Sequence, residues 1–265
     1  MSGMGSILDT IAAYARKRVE ADRAALPLEE LKPLCQQQPA LENTFFDRLQ
    51  KPGMSFICEV KKASPSKGVI SEDFPYLDIA RAYQAAGADC LSCLTEPKWF
   101  LGSDQIFLDI RRTVSTPMLR KDFTVDEYQI YQAKLLGADA VLMICALLDT
   151  AVIARYLDIA HSLGLSALVE AHDASEITSA ISAGASIIGV NNRNLKDFSV
   201  DLSTAAHLRE LVPPECVYVA ESGVTSPADV AALKQAGADA VLMGEVLMRA
   251  ENPHTMLDAM RRAAS

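Results

Sequence analysis

A four-residue motif recurs along this chain about every 50 residues, and it restricts the possible folds more than any other feature. The motif is Ala-Gly-Ala-Asp or a close relative. Its glycines are 50, 47 and 53 residues apart, at Gly87, Gly137, Gly184 and Gly237. Each copy follows a segment with helical periodicity and precedes an apolar run typical of a strand. Because glycine commonly ends a helix, each copy predicts a compact connection from helix to strand.

Each interval between the motifs holds a second apolar run with its own helix, so the chain divides into eight strand–helix units. Strands are predicted near residues 55–61, 89–95, 117–121, 139–145, 166–170, 186–191, 216–221 and 239–243. Apolar strands that alternate with amphipathic helices favour parallel pairing with helices outside. Eight units predict a (β/α)8 TIM barrel. A doubly wound open sheet is the alternative, but no G-x-G-x-x-G fingerprint follows a strand.

The first 50 residues lie outside this count. We predict an N-terminal helical extension over residues 1–50 and a barrel over residues 51–265, as one domain. Apolar residues share one helical face from Ile7 to Val19, and Ser6 with Asp9 resembles a capping box. We expect this helix to pack over one end of the barrel. A second interpretation is that it also lines or covers the mouth of the site.

Composition limits the possible partners. The formal net charge of -9 argues against binding to nucleic acid or to an anionic membrane. The apolar runs are shorter than a membrane span. Four of the six cysteines lie in apolar runs, which predicts reduced thiols in a cytoplasmic protein. Cys90 and Cys93 form a C-x-x-C within a predicted strand, where their side chains face opposite sides, so no metal site is predicted.

The first predicted strand carries a charged pair at its carboxyl end. Glu59 and Lys61 are two residues apart and therefore share one face of the strand, with Ile57 below them. The other face is covered by Phe56, Cys58 and Val60. In α/β barrels the carboxyl ends of the strands form the catalytic face. This pair is therefore predicted to belong to an active site.

Polar residues also follow most of the other strands. They lie in Thr95–Phe100, Arg120–Phe123, Glu170, Asn191–Asn194, Glu221–Gly223 and Met243–Glu245. Charges that follow apolar strand residues are costly to bury unpaired, so the set predicts one shared cavity. Two lysines and two glutamates there suggest acid–base catalysis on a carbonyl compound. A Schiff-base lysine is the alternative.

Two glycine-containing turns predict a phosphate site. Ser222-Gly223 and Gly244-Glu245 follow the seventh and eighth strands, where barrels usually bind phosphate. Glycine lets a phosphate approach the backbone, and amides at a helix start can hold it. The carboxylate of Glu245 does not suit a phosphate. We therefore expect Glu245 to offer its amide while its side chain points away.

These motifs resemble those of the indole-3-glycerol phosphate synthase family, in family order along the whole chain. The matching segments are Glu59–Gly68, Leu94–Ser103, Lys121–Phe123, Leu168–Glu170, Gly189–Leu195 and Glu221–Gly223. The first and fifth are highly specific, whereas Glu-Ser-Gly is shared more widely among phosphate-binding barrels. Departures from the commonest family pattern are small. Trp99 stands where an aromatic residue is expected, and Glu245 stands where a small hydroxyl residue is common.

The resemblance implies a carboxy-lyase of tryptophan biosynthesis. Its substrate would be 1-(2-carboxyphenylamino)-1-deoxyribulose 5-phosphate, which closes to an indole and loses CO2 and water. The electron sink for decarboxylation is the substrate's own ring-closed iminium, so no metal or organic cofactor is expected. The expected partner is this phosphorylated small molecule. We expect a monomer, with a weak dimer as the alternative.

The resemblance also implies roles for individual residues. Lys121 would be the general acid that protonates the ribulose carbonyl, and Glu170 would assist proton transfer. Glu59 and Lys61 would form a second catalytic pair. The full catalytic set is Glu59, Lys61, Lys121, Glu170, Asn191 and Ser222. The substrate-binding set is Ser64, Phe100, Phe123, Arg193, Gly223, Gly244 and Glu245.

Two rival functions are compatible with the same fold. One is another barrel enzyme: a sugar-phosphate isomerase, an epimerase or a Schiff-base lyase. Such an isomerase would need fewer charged groups than the four present. The other is a barrel that binds a phospholigand without catalysis, which would have lost a catalytic lysine or glutamate. None of the four is missing.

Overall fold

The protein is a closed barrel of eight parallel strands. The computed structural model describes residues 6–38, 44–194 and 197–265, so residues 1–5 and 39–43 of the predicted extension, and Leu195 of the fifth motif, lie outside the described residues. The strands are β1 (Ser55–Val60), β2 (Cys90–Leu94), β3 (Met118–Lys121), β4 (Ala140–Ile144), β5 (Ser166–Ala171), β6 (Ile187–Asn191), β7 (Val217–Glu221) and β8 (Ala240–Met243). The predicted (β/α)8 barrel is confirmed, with each predicted strand end correct to within one residue.

Helices precede the barrel and follow its strands. Three precede it: α1 (Ile7–Ala25), α2 (Leu28–Gln36) and α3 (Thr44–Leu49). The others are α4 (Tyr76–Ala85), α5 (Asp104–Thr113), α6 (Tyr128–Leu135), α7 (Thr150–Ser162), α8 (Ala174–Ser182), α9 (Ser203–Leu208), α10 (Pro227–Gln235), α11 (Glu245–Met248) and α12 (Pro253–Ala263). β8 pairs with β1 in parallel and closes the sheet.

The repeated motif has two structural purposes. All four of its glycines have positive φ, as expected for residues that end a helix. Three copies end in aspartate, and each carboxylate accepts a hydrogen bond from the backbone N–H of a neighbouring strand. The bonds are Phe56 to Asp89 at 2.9 Å, Met118 to Asp139 at 2.8 Å and Tyr218 to Asp239 at 2.9 Å. The motif thus ends a helix, and its aspartate accepts a backbone N–H at the start of an adjacent strand.

Strand alternation divides the apolar residues into two cores. Phe56, Cys58 and Val60 pack outward against the helices. Ile57 packs inside the barrel with side chains such as Leu119 and Leu168. The predicted faces of β1 are therefore confirmed, and Glu59 and Lys61 continue the inner face above Ile57. Cys90 is also internal whereas Cys93 faces the helices, as predicted for the C-x-x-C.

Helices of the extension lie at opposite ends of the barrel. α1 begins with the predicted capping box between Ser6 and Asp9, and its Leu8 reaches the internal core at the carboxyl ends of the strands. α3 lies at the amino ends, where Phe45 packs into the same core and Thr44 donates to Asp139 at 2.9 Å. α1 is therefore the part of the extension next to the catalytic face.

Candidate active site

A cavity of about 880 Å³ lies at the carboxyl ends of the strands. Its volume is typical of a small-molecule site. All thirteen predicted site residues line it: Glu59, Lys61, Ser64, Phe100, Lys121, Phe123, Glu170, Asn191, Arg193, Ser222, Gly223, Gly244 and Glu245. They come from seven of the eight strands and the loops that follow them, all but β4, so only the closed barrel brings them together.

Lys121 lies at the centre of the charged residues. It ends β3, and its Nζ is 2.6 Å from Oε2 of Glu221 and 3.7 Å from Oε2 of Glu170. Burial by itself would lower the pKa of Lys121, but the charges of Glu221, Glu170 and Glu59 outweigh it and raise the pKa above its ordinary value. Lys121 is therefore an ammonium across the physiological range, which makes it a proton donor.

A second charged pair lies on β1. Lys61 Nζ is 2.5 Å from Oε1 of Glu59, and Ser92 on the adjacent β2 donates to Oε2 of Glu59 at 3.3 Å. Burial would raise the pKa of Glu59, but the charges of Lys61 and Lys121, with these hydrogen bonds, hold it below its usual range. Glu59 is therefore ionised at neutral pH. Ser92 was not predicted; its even spacing from Cys90 on the inner face of β2 could have indicated it.

Glu221 is the main functional residue that the predicted set missed. The sequence pattern puts Glu221 at the end of β7 and predicts no role for it, yet Glu221 forms the shortest contact of Lys121. Its Oε1 is buried without a hydrogen-bond partner, and it lies against Gly189, where a side chain would collide with it. Burial and the charge of Glu170 raise the pKa of Glu221 to about 7 against the pull of Lys121. Glu221 can therefore exchange a proton near neutral pH.

Glu170 is held from several directions. It ends the inner face of β5 and is 3% exposed. Asn191 on the adjacent β6 donates its Nδ2 to Oε1 of Glu170 at 3.1 Å. Lys121 faces the other oxygen, Oε2. The carboxylate is thus oriented by neighbours from two other strands.

Aromatic residues form one end of the cavity. The rings of Phe100 and Phe123 are 6.0 Å apart and inclined at 44°. The loop that carries Phe100 is ordered by Glu96, whose carboxylate accepts the backbone N–H groups of Lys98, Trp99 and Phe100 at 2.9, 2.7 and 3.0 Å. Together the two rings form an apolar wall suited to an aromatic ring.

The opposite end has the features expected of a phosphate site. Gly223 has φ of 89°, and Gly244 is the N-cap of α11, whose first residue is Glu245. The first amides of a helix have no intrahelical acceptor and can bind an anion. The carboxylate of Glu245 is 3.1 Å from Arg249 and 3.7 Å from Lys67. These cations offset its negative charge at this end of the cavity.

α1 contributes to the site in two ways. Ile7, Leu8 and Ile11 line the cavity. Further along, Arg18 makes a bidentate ion pair with Asp122, the residue after Lys121, at 2.6 and 3.0 Å. Burial would raise the pKa of Asp122, but its bonds to Arg18 and Thr95 and the charge of Arg120 lower it.

Known proteins similar to this chain identify its family. The sequence model of the indole-3-glycerol phosphate synthase family matches residues 8–260. The chain belongs to this family. An indole-3-glycerol phosphate synthase from Ruminiclostridium cellulolyticum is 53% identical over 97% of this chain and 100% of its own length. One from Endomicrobium trichonymphae is 47% identical over 93% of this chain and 96% of its own length.

A solved structure supports the fold independently. A thiamine phosphate pyrophosphorylase from Pyrococcus furiosus has a TM-score of 0.61 and 16% identity, over 83% of this chain and 96% of its own. At this identity the likeness concerns the fold alone. Among the residues that the structure describes, no cluster of His, Cys, Asp or Glu could hold a metal ion. Within those same residues, no helix is long and apolar enough to cross a membrane.

Proposed function

We propose that this protein is an indole-3-glycerol phosphate synthase that works by acid–base catalysis. It closes 1-(2-carboxyphenylamino)-1-deoxyribulose 5-phosphate to an indole with loss of CO2 and water. The observation that carries the proposal is the position of Lys121, an ammonium among Glu59, Glu170 and Glu221 inside the cavity of a chain that belongs to this family. An isomerase needs fewer charged groups, and a binding barrel needs none of them.

Lys121 protonates the ribulose carbonyl as the aromatic carbon attacks it. Glu170 takes part in the later proton transfers and stabilises the cationic intermediate. Glu221, with a pKa of about 7, is placed to exchange a proton with Lys121 across 2.6 Å. Glu59 and Lys61 form the second pair, and Lys61 is the candidate acid for loss of hydroxide. Asn191 and Ser222 orient the substrate.

The two ends of the substrate are bound at the two ends of the cavity. The anthranilate ring packs against Phe100 and Phe123, and Arg193 and Ser64 bind its carboxylate. The amides of Gly223, Gly244 and Glu245 bind the phosphate. Anchoring both ends brings the aromatic carbon close to the carbonyl, which is the main entropic demand of ring closure.

The deciding experiment is indole fluorescence after the purified protein is mixed with the carboxyphenylamino-deoxyribulose phosphate. We expect product emission from the wild-type protein and none above background from Lys121→Ala, because Lys61, the other predicted catalytic lysine, is paired with Glu59 on β1. The matched control is Lys51→Ala, which should keep full activity because this exposed lysine precedes the amino end of β1 and does not line the cavity at the carboxyl ends of the strands. Substrate affinity of Lys121→Ala, measured by calorimetry, should remain within about tenfold.

Two results would contradict the proposal. Turnover by Lys121→Ala close to the wild-type rate would remove Lys121 as the acid. Tight binding by the wild-type protein without product would favour a non-catalytic barrel. We also infer that the protein works in a reducing compartment such as the cytoplasm, because its six cysteines are unpaired.

A further inference from the structure

His172 lies directly above Glu170, outside the set of residues that line the cavity. It follows β5, on the same face of the strand as Glu170, and its side chain is 18% exposed. Its Nε2 is 3.4 Å from Oε1 of Glu170. No aligned hydrogen bond forms across this gap, and Nε2 is buried without another partner. The family motif ends at Glu170, so His172 has no role in the function proposed above.

The other side of the ring is held by Glu176. This residue lies in the first turn of α8, which is capped by Asp173. Its Oε2 accepts the backbone N–H of His172 at 2.7 Å and lies 3.2 Å from ring Nδ1. The helix start therefore fixes both the position of His172 and the direction of its ring.

Both ring nitrogens thus face carboxylate oxygens. A neutral imidazole has one N–H and one lone pair, so one of its nitrogens would direct a lone pair at a carboxylate. An imidazolium donates from both nitrogens and suits both neighbours. Burial would lower the pKa of His172, but its hydrogen bond with Glu176 and the charges of Glu170, Glu176 and Glu221 raise the pKa above its ordinary value.

Every carboxylate around the ring favours this form. Glu170 lies on β5, Asp173 and Glu176 lie at the start of α8, and Glu221 lies on β7. The segment after β4 also packs here and carries Cys145, whose pKa burial raises to about 12, so it is a neutral thiol. Lys121 is the nearby cation, and it contacts Oε2 of Glu170 rather than Oε1.

We propose that His172, held by Glu176, is a positioning residue for Glu170. As an imidazolium, it holds Oε1 together with Asn191 and leaves Oε2 directed at Lys121. Catalytic hydrogen bonds are often long before the substrate binds and then tighten, which matches the 3.4 Å gap. The inference rests on the proposed synthase function, in which Glu170 transfers protons.

The test joins a ring titration to steady-state kinetics. Histidine ring signals are followed by NMR against pH in the wild-type protein and in Glu176→Gln, with His172→Gln used for assignment. Glutamine keeps an acceptor for the backbone N–H of His172 but removes the anion. We expect the wild-type ring to titrate above the value of about 6.5 for an unperturbed histidine, and Glu176→Gln to lower it. The control His254→Gln removes an exposed ring whose Nδ1 is 3.4 Å from Asp258.

Kinetics on the carboxyphenylamino-deoxyribulose phosphate then distinguish a positioning role of His172 from a role in folding alone. In Glu176→Gln, the alkaline limb of the kcat profile should move to lower pH by the same amount as the ring titration. In His172→Gln that limb should be absent, and kcat should be lower by roughly tenfold, as for the loss of one charged hydrogen bond. KM should change less than twofold in both, since His172 does not line the cavity. Any part of the pH dependence of kcat that is due to Glu221 should remain in the wild-type protein and in both variants.

The outcomes separate the two proposals. A wild-type protein without turnover would overturn the synthase function. An active wild-type protein whose kcat profile ignores the shift of the ring titration would overturn only the role of His172. A ring that titrates at or below 6.5, or His172→Gln with wild-type kcat, would also overturn that role. If His172→Gln does not fold, the comparison of Glu176→Gln with wild type still tests the role of His172.

Discussion

Lys121 and Glu221 show how single residues acquire their chemistry from their neighbours. Lys121 remains a cation despite its burial because three carboxylates surround it, and Glu221 has a raised pKa because burial outweighs the attraction of one lysine. In water the pKa of each group would keep its ordinary value, so both shifts come from the neighbours and the burial. Gly189 leaves room for the Glu221 carboxylate, since any side chain at this position would collide with it.

Glu221 should make the stability of the protein depend on pH. Its pKa rises from 4.5 when unfolded to about 7 when folded, so the folded state binds more protons between these values. The free energy of unfolding should therefore fall as pH rises from about 5 to 7, by at most about 3 kcal/mol from this group. Glu221→Gln should remove this slope. Urea unfolding at several pH values measures it.

The control for this prediction is Glu251→Gln, at an exposed position. It should keep the wild-type slope. If the free energy of unfolding of Glu221→Gln depends on pH as it does in wild type, Glu221 does not titrate in this pH range. In addition, we expect Glu221→Gln to lower kcat, because Lys121 would lose the group with which it exchanges a proton.

At the scale of elements, α1 is attached to the catalytic face by a buried ion pair. Arg18 and Asp122 are 104 residues apart in sequence, and Asp122 is only 2% exposed. Asp122 also accepts from Thr95 at 2.8 Å, and so links the loops after β2 and β3 to α1. Tyr14 on the same helix packs edge-on against Trp99, with ring centroids 5.5 Å apart. The helix therefore covers the loops that carry the aromatic end of the cavity.

Arg18→Ala should detach this helix in part. It leaves a buried carboxylate with fewer partners, and we expect a loss of about 2 kcal/mol in the free energy of unfolding. The emission of Trp99, the single tryptophan, should shift to longer wavelength as Tyr14 moves away. Arg23→Ala on the same helix is the matched control. Its ion pair with Asp126 is equally short at 2.6 Å but more exposed, so its loss should be below about 1 kcal/mol.

Equal losses in the two variants would contradict the role assigned to burial. Unchanged Trp99 emission in Arg18→Ala would show that α1 is held by its apolar face alone. Leu8, Ile11 and Ala15 bury that face, so the helix should remain formed in either case.

At the scale of the whole molecule, the barrel brings cations and carboxylates from opposite sides into one cavity. β1 supplies one pair, while the other joins β3 to β7 across 100 residues of sequence. The proposed chemistry needs proton donors, which the protein supplies, and an electron sink, which the substrate supplies. Because lysines already neutralise the carboxylates, these groups are poor candidates for cation ligands.

Activity should therefore be insensitive to chelators. We expect indole formation at the same rate after dialysis against EDTA as before it, because Lys121 supplies the acid. Addition of Mg²⁺ or Zn²⁺ to the dialysed protein should not increase the rate. Loss of activity in EDTA that returns with one of these ions would contradict the metal-free mechanism.

Much of this architecture could be predicted from local pattern. The apolar runs and the helix-ending glycines of the repeat placed all eight strands, because strand period and helix termination are properties of a few adjacent residues. Strand parity placed Glu59 and Lys61 above Ile57, and the motifs and glycine turns pointed to the other predicted site residues, all of which line the cavity. The pairing of Lys121 with Glu221 did not follow, since both are rim residues with several possible partners.

By itself, therefore, the sequence determined the barrel, its catalytic face and the family. Only the tertiary structure decided which charges meet. It paired Lys121 with Glu221, placed Arg18 on Asp122, and set His172 between Glu170 and Glu176. The physical reason is that a pKa depends on burial and on charges a few ångströms away. Closure of the barrel sets those distances, and no local segment of the chain contains them.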